Sequence, residues 1–230
     1  RTRRANSTYF RIGSMALPYT HVYFAMYMAD EMGIDDVSAY LWGTLYPDTR
    51  RLTGLERSTT HGNKQAATLE NIIGLSSFQK GVALHRYYDV HSSYIVNTLL
   101  SSDVLRDPDP TNRWRYHAAA KLLEDQAICE RSAEKREEFL SDILIGELPN
   151  QEDTEKAQSF LDSAQQLYRE GAVDQAYAEH YSRIGHEQET INRIFAQRDA
   201  FSTNERTTIL GRFDLVAKKA HDNNPLNAFI

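Results

Sequence analysis

The stretch Gly81–Ser93 reads GVALHRYYDVHSS, and its reading decides the rest of the chain. His85 and Asp89 stand four residues apart. On a helix, side chains at that spacing leave the same face, one turn from each other. No Pro interrupts Leu75 to Asp103, and apolar Phe78, Val82, Leu84 and Tyr88 recur through it, so the spacing predicts a helix. An imidazole and a carboxylate on adjacent turns can close on one metal ion. The same spacing also suits a surface His–Asp pair. The pair gains meaning only if other ligand-type residues converge on it.

Outward from this helix, the pattern stays helical. Pro18-Tyr19-Thr20 precedes a dense apolar segment, His21 to Met32, with Thr20 as its N-cap. A second short helix is expected from Asp35 to Gly43. Leu45 to Gly62, with Pro47, Gly54 and Gly62, reads as a long ordered loop, of the kind that often carries function. It holds Asp48 after Pro47 and His61 before Gly62. A short helical piece, Asn63 to Ile73, leads back to the central helix. Asp103 to Asn112 (DVLRDPDPTN) is a turn-rich connector. Thr111 or Asn112 then caps a helix from Arg113 to about Leu144, on which His117 and Glu124, seven apart, share a face. Further helices are expected at Glu152–Arg169, Val173–Ala200 and Glu205–His221, the last capped by Asn204. No alternating strand pattern occurs, so the fold class is all-α. Residues 15–150 form a helical core. Residues 151–230 form a C-terminal helical extension packed on the same domain. Residues 1–14, ending in Gly13-Ser14 before Met15, read as a vector-derived or flexible leader.

A length of 230 residues fits one domain with an appendage. The net charge of −6, with both signs interspersed, argues against a protein that coats nucleic acid. The single cysteine, Cys129, reads as a small buried apolar residue and excludes an internal disulfide or a cysteine-based zinc cluster. Any metal site must use His, Asp and Glu. No run of about 20 apolar residues exists to span a membrane. Read from Met15 as its start, the chain is expected in the cytoplasm.

The ligand-type residues of the first half are His21, Asp48, His61, His85, Asp89, His117 and Glu124. Such a set suits a multi-metal hydrolase, in which metals activate water and neutralise charge on a phosphoryl oxygen. The order Thr20-His21, Gly43-Thr44-Leu45-Tyr46-Pro47-Asp48, Thr60-His61 and Gly81-Val82-Ala83-Leu84-His85-Arg86-Tyr87-Tyr88-Asp89 resembles the zinc-dependent phospholipase C family, which is related to the P1-type nucleases. The likeness covers roughly residues 20–130. Each piece is short, and order and spacing carry the weight. The resemblance implies a helical protein with His21, Asp48, His61, His85 and Asp89 as metal ligands. Asp89 would be shared between metals, and Asp89 and Asp48 would stand at the reacting centre. It implies two or three zinc-type ions, although manganese or iron suits the same donors. The implied substrate is a phosphoester such as a phospholipid head group, with a nucleotide or other phosphodiester close behind. His117 and Glu124 would fill the later ligand roles. The family's usual spacing there is HxxxE, and this chain has Lys121 at that point, which implies that one metal is weakly held or absent. His91, two residues past Asp89, points to another face. Residues 150–230 have no counterpart in the family.

Lys64, Arg86, Arg113 and Arg115 could meet a phosphate, although scattered basic residues are more often solvated. His180, His186 and His221 read as surface residues of polar helices. An HD-type phosphohydrolase is the enzymatic alternative, but it needs an adjacent His-Asp pair, and only His221-Asp222 supplies one. A helical binding or scaffold protein with a residual structural metal is the non-enzymatic alternative. Its Gln- and Glu-rich C-terminal helices would offer a surface for a partner or for homo-oligomer formation.

Overall fold

The computed structural model describes residues 17–62, 68–69, 72–99, 110–135, 141 and 143–224. Among them every regular element is helical, so the chain is all-α. In order these are α1 (Pro18–Met32), α2 (Val37–Leu45), a 3-10 turn (Tyr46–Thr49), α3 (Arg50–Thr53), α4 (Arg57–His61), α5 (Ser77–Leu99) and α6 (Pro110–Arg131). After a 3-10 turn at Ala133–Lys135 come α7 (Thr154–Arg169), α8 (Asp174–Arg183), α9 (Gln188–Asp199), α10 (Thr203–Leu210) and α11 (Arg212–Asp222).

The central helix is α5. Gly81, Leu84, Tyr88, Ser92 and Val96 recur at helical spacing on its buried side. Helices α1, α2, α6 and α11 all pack against it. Helix α2 comes closest, because two glycines remove the side chains between the backbones. A Cβ at Gly81 would stand 2.1 Å from the Tyr40 carbonyl oxygen, and one at Gly43 would stand 2.1 Å from that of Phe78. This contact lets the Thr44 carbonyl reach His85.

Helix α1 begins at Pro18, with Leu17 rather than Thr20 in the cap position and no side-chain cap. Its first amides still need acceptors. They find them far along the chain: the Tyr19 amide donates to the Tyr168 hydroxyl oxygen at 2.7 Å, and the Thr20 amide and hydroxyl both donate to Asp125 Oδ1 at 2.7 Å. Thr20 is therefore a tether to α6, not a cap. Buried apolar side chains from Leu17 to Ala220 form one cluster, so residues 151–224 share the core of the first half.

Several boundaries differ from the sequence reading. Leu45 to Gly62 is a chain of short helical turns, not an irregular loop. Pro47 is accommodated near the start of the 3-10 turn, and Gly54 at φ 79° ends α3. Helix α6 stops at Arg131 rather than near Leu144. Residues 143–148 run without regular structure because their backbone serves α2: the Leu144 amide donates to Ser38 Oγ, and the Glu147 carbonyl accepts from Trp42 Nε1. The expected helix 173–200 breaks where Gly185 takes φ 91°. The expected helix 205–221 is two helices meeting at Gly211, and its cap is Ser202, in a capping box with Glu205. Residues 68, 69, 72 and 73 are not helical, which removes part of the expected 63–73 piece. The rest of that piece, most of the 103–112 connector and the leader at 1–14 lie outside the described residues.

Candidate metal centre

Five of the seven sequence-selected ligands converge. His21 comes from the first turn of α1, Asp48 from the 3-10 turn, His61 from the end of α4, and His85 and Asp89 from adjacent turns of α5. None is more than 6% exposed. His85 Nε2 lies 3.3 Å from His61 Nε2, 3.9 Å from Asp48 Oδ1 and 3.8 Å from Asp89 Oδ2. His61 Nε2 lies 3.8 Å from Asp48 Oδ1 and 3.6 Å from Asp89 Oδ2. Ligand atoms about 2.1 Å from a tetrahedral ion would be roughly 3.4 Å apart. The observed separations are of that order. Among the described residues two overlapping ligand groups result, His21 with His85 and Asp89, and Asp48 with His61 and His85.

The tautomer of His85 is fixed by its neighbour. Its Nδ1 lies 2.8 Å from the Thr44 carbonyl oxygen, which can only accept, so Nδ1 carries the proton and donates. Nε2 then presents a lone pair toward two carboxylate oxygens and a second imidazole. Electron-rich atoms gathered so closely in a buried place could hold a cation between them. His61 is also held from behind, its Nδ1 lying 2.8 Å from Thr60 Oγ1, a hydroxyl that can donate or accept. Arg86 in turn donates from Nε and Nη2 to the Thr60 carbonyl, fixing the end of α4 to α5. The His21 ring stacks on His85 with centroids 3.8 Å apart, and neither of its buried nitrogens has a hydrogen-bond partner among the described residues.

The electrostatics favour neutral His61 and His21 and a charged Asp89. Burial first, and His85 second, hold His61 down to about 2 and His21 well below the usual range. Burial pushes the Asp89 carboxyl up, but Lys121, His85, His21 and His61 overcome it and hold it low. Burial raises Asp48, opposed by His85. Donors of two imidazoles and two carboxylates fit zinc, manganese or iron.

The other expected ligands are elsewhere. Glu124 is buried in a two-pronged pair with Arg212, which donates from Nε at 2.7 Å and from Nη2. Its carboxylate is committed to that guanidinium and does not enter the cluster. His117 Nε2 meets Asn97 Oδ1 at 3.0 Å near the surface, and also stays out. His91 packs on Tyr87 and meets Lys219. In place of the Glu expected at position 121, fully buried Lys121 donates to Asp89 Oδ1 at 2.9 Å.

Basic residues border the cluster, though not those expected. Arg57 Nη2 is 3.9 Å from Asp89 Oδ2, and Arg50 acts on both Asp48 and His61. The Nε atoms of Arg50, Arg51 and Arg57 are buried without a hydrogen-bond partner among the described residues. The run Arg50-Arg51 with Arg57, close after Asp48, was the sequence signal for them. Arg86 holds Thr60, Arg115 turns back to Thr111 and Asn112, Arg113 is solvent-exposed, and Lys64 lies outside the described residues. One histidine read as surface is not: His180 is buried against Ser163, while His186 is half-buried and stacks on Trp114. His221 is exposed beside Glu31.

No protein-family model, no curated protein and no solved structure matches this chain.

Proposed function

We propose that the protein is a metal-dependent hydrolase of phosphoesters. The observation that carries this reading is the convergence of His61 Nε2, His85 Nε2, Asp48 Oδ1 and Asp89 Oδ2, with His85 locked in the tautomer that aims a lone pair inward. A divalent ion there would supply Lewis acidity toward water and a phosphoryl oxygen. Asp48 and Asp89 would hold the ion together with His61 and His85, and their carboxylates would orient water beside it. Arg50 and Arg57 neutralise charge that develops on the phosphoryl oxygens in the transition state, since their guanidinium groups border the same carboxylates. The residue order resembling zinc-dependent phospholipase C supports a phosphodiester or phospholipid head group as substrate. A small diester suits the site better than a membrane surface, because the ligands are almost wholly enclosed.

That enclosure also favours a second reading, in which the ion is structural. Two measurements decide between them. Protein purified without added metal is analysed for zinc, manganese and iron, and then assayed on bis(p-nitrophenyl) phosphate and p-nitrophenylphosphorylcholine. Bound metal with turnover that EDTA abolishes supports the enzyme. Bound metal without turnover favours the structural role. No metal, even after dialysis against zinc, sinks both.

A further inference from the structure

The two ligand groups overlap in one residue, and that residue has one nitrogen to give. His85 belongs to both. Its Nδ1 is committed to the Thr44 carbonyl, so Nε2 alone can bind a cation. Both groups cannot fill at once with His85 in each. Asp89 divides its two oxygens between the same two sides. Oδ2 faces His61, His85 and Arg57. Oδ1 faces His21 Nε2 at 3.7 Å and accepts from Lys121 Nζ at 2.9 Å. Lys121 is 1% exposed, so its ammonium has little water to spread its charge. A second divalent ion between His21 and Asp89 Oδ1 would have to sit beside that ammonium.

We propose that the centre takes a single divalent cation, gripped by Asp48, His61, His85 and Asp89 Oδ2, and that the Lys121 side chain fills the place of a second one. This rests on the metal reading above and sets its stoichiometry. Lys121 neutralises the half of Asp89 that the ion does not reach, and keeps that carboxylate turned so that Oδ2 meets the ion. It is a positioning residue, acting through Asp89. His21, stacked on His85, lines the ammonium side and is spared as a ligand.

The test is equilibrium dialysis of the full chain against zinc, followed by elemental analysis of ions per chain. The wild type should hold one tight ion. Lys121→Glu should hold two, since His21 and Asp89 Oδ1 would gain a carboxylate in place of a repelling charge. If that variant does not fold, Lys121→Gln keeps a donor to Asp89 without the charge and should admit a second, weaker ion. Two tight ions in the wild type would overturn the inference while leaving the metal reading intact. A folded Lys121→Glu variant that still holds one ion would overturn it as well. A wild type that holds none would instead remove the metal reading on which it stands.

Discussion

Thr60 and Glu124 show how single side chains separate ligand from scaffold. The Thr60 hydroxyl meets the rear nitrogen of His61 in a fully buried position. Thr60→Val keeps the shape and removes that contact. Outer partners of this kind are worth about 10- to 100-fold in metal affinity, so zinc should bind weaker by that factor with the fold retained. Competition with a chromophoric chelator would measure it, and unchanged affinity would mean that His61 does not bind the ion. Glu124→Gln should do the opposite. It strips a buried Arg212 of its counter-charge, at a cost of about 3–5 kcal/mol in urea unfolding, while ion content stays the same. Loss of metal from a folded Glu124→Gln protein would return Glu124 to the ligand set. The sequence showed both residues, but not their partners. Ligand chemistry and chain order exposed His21, Asp48, His61, His85 and Asp89. Nothing at Glu124 pointed to a guanidinium 88 residues later, and the oddity of Lys121 was visible while its grip on Asp89 was not.

At the scale of elements, the crossing of α2 and α5 sets the geometry of the centre. Gly81→Ala would press a methyl into the Tyr40 carbonyl and the Thr44 amide, neither of which can move without its helix. Overpacking of this sort costs roughly 1–3 kcal/mol, and here it also pulls the Thr44 carbonyl off His85. Thermal unfolding and zinc affinity should therefore fall together in Gly81→Ala. A drop in stability with full affinity would show that the crossing does not aim His85. Helices α1, α5 and α7 were legible because dense or periodic apolar residues marked them. The breaks at Gly185 and Gly211 were not, since an isolated glycine in a polar helical pattern gives a weak stop signal. The turns around Asp48 read as a loop in the sequence because Pro47 and Gly54 punctuate short helical turns and irregular chain alike.

Across the whole molecule, buried titratable groups make the metal-free protein sensitive to acid. Burial holds His180 and His186 down to about 4, and His61 lower still. In the unfolded chain each imidazole takes up a proton below about 6.5. The unfolded state then binds more protons than the folded one, so stability falls as pH drops from about 6.5 toward 4. Asp48, which burial also raises, works the other way, and so does Asp125. Burial raises it from 3.8 to about 6, against hydrogen bonds from Tyr177, Thr20 and Tyr168, so it adds stability as pH falls through that window. The lowered histidines, His21 among them, outnumber these two carboxyls, and the urea midpoint of EDTA-treated protein should be lower at pH 5 than at pH 7. A higher midpoint at pH 5 would contradict their buried, neutral state. The hydroxyls of Tyr168 and Tyr177 both donate to Asp125 Oδ2, while Asp125 Oδ1 holds Thr20, next to His21. Severing the chain after Asn150 would take both tyrosines away and slacken the start of the first helix. The tail of this chain is thus the latch on its centre, and no shortened form that lacks it should keep His21 in place.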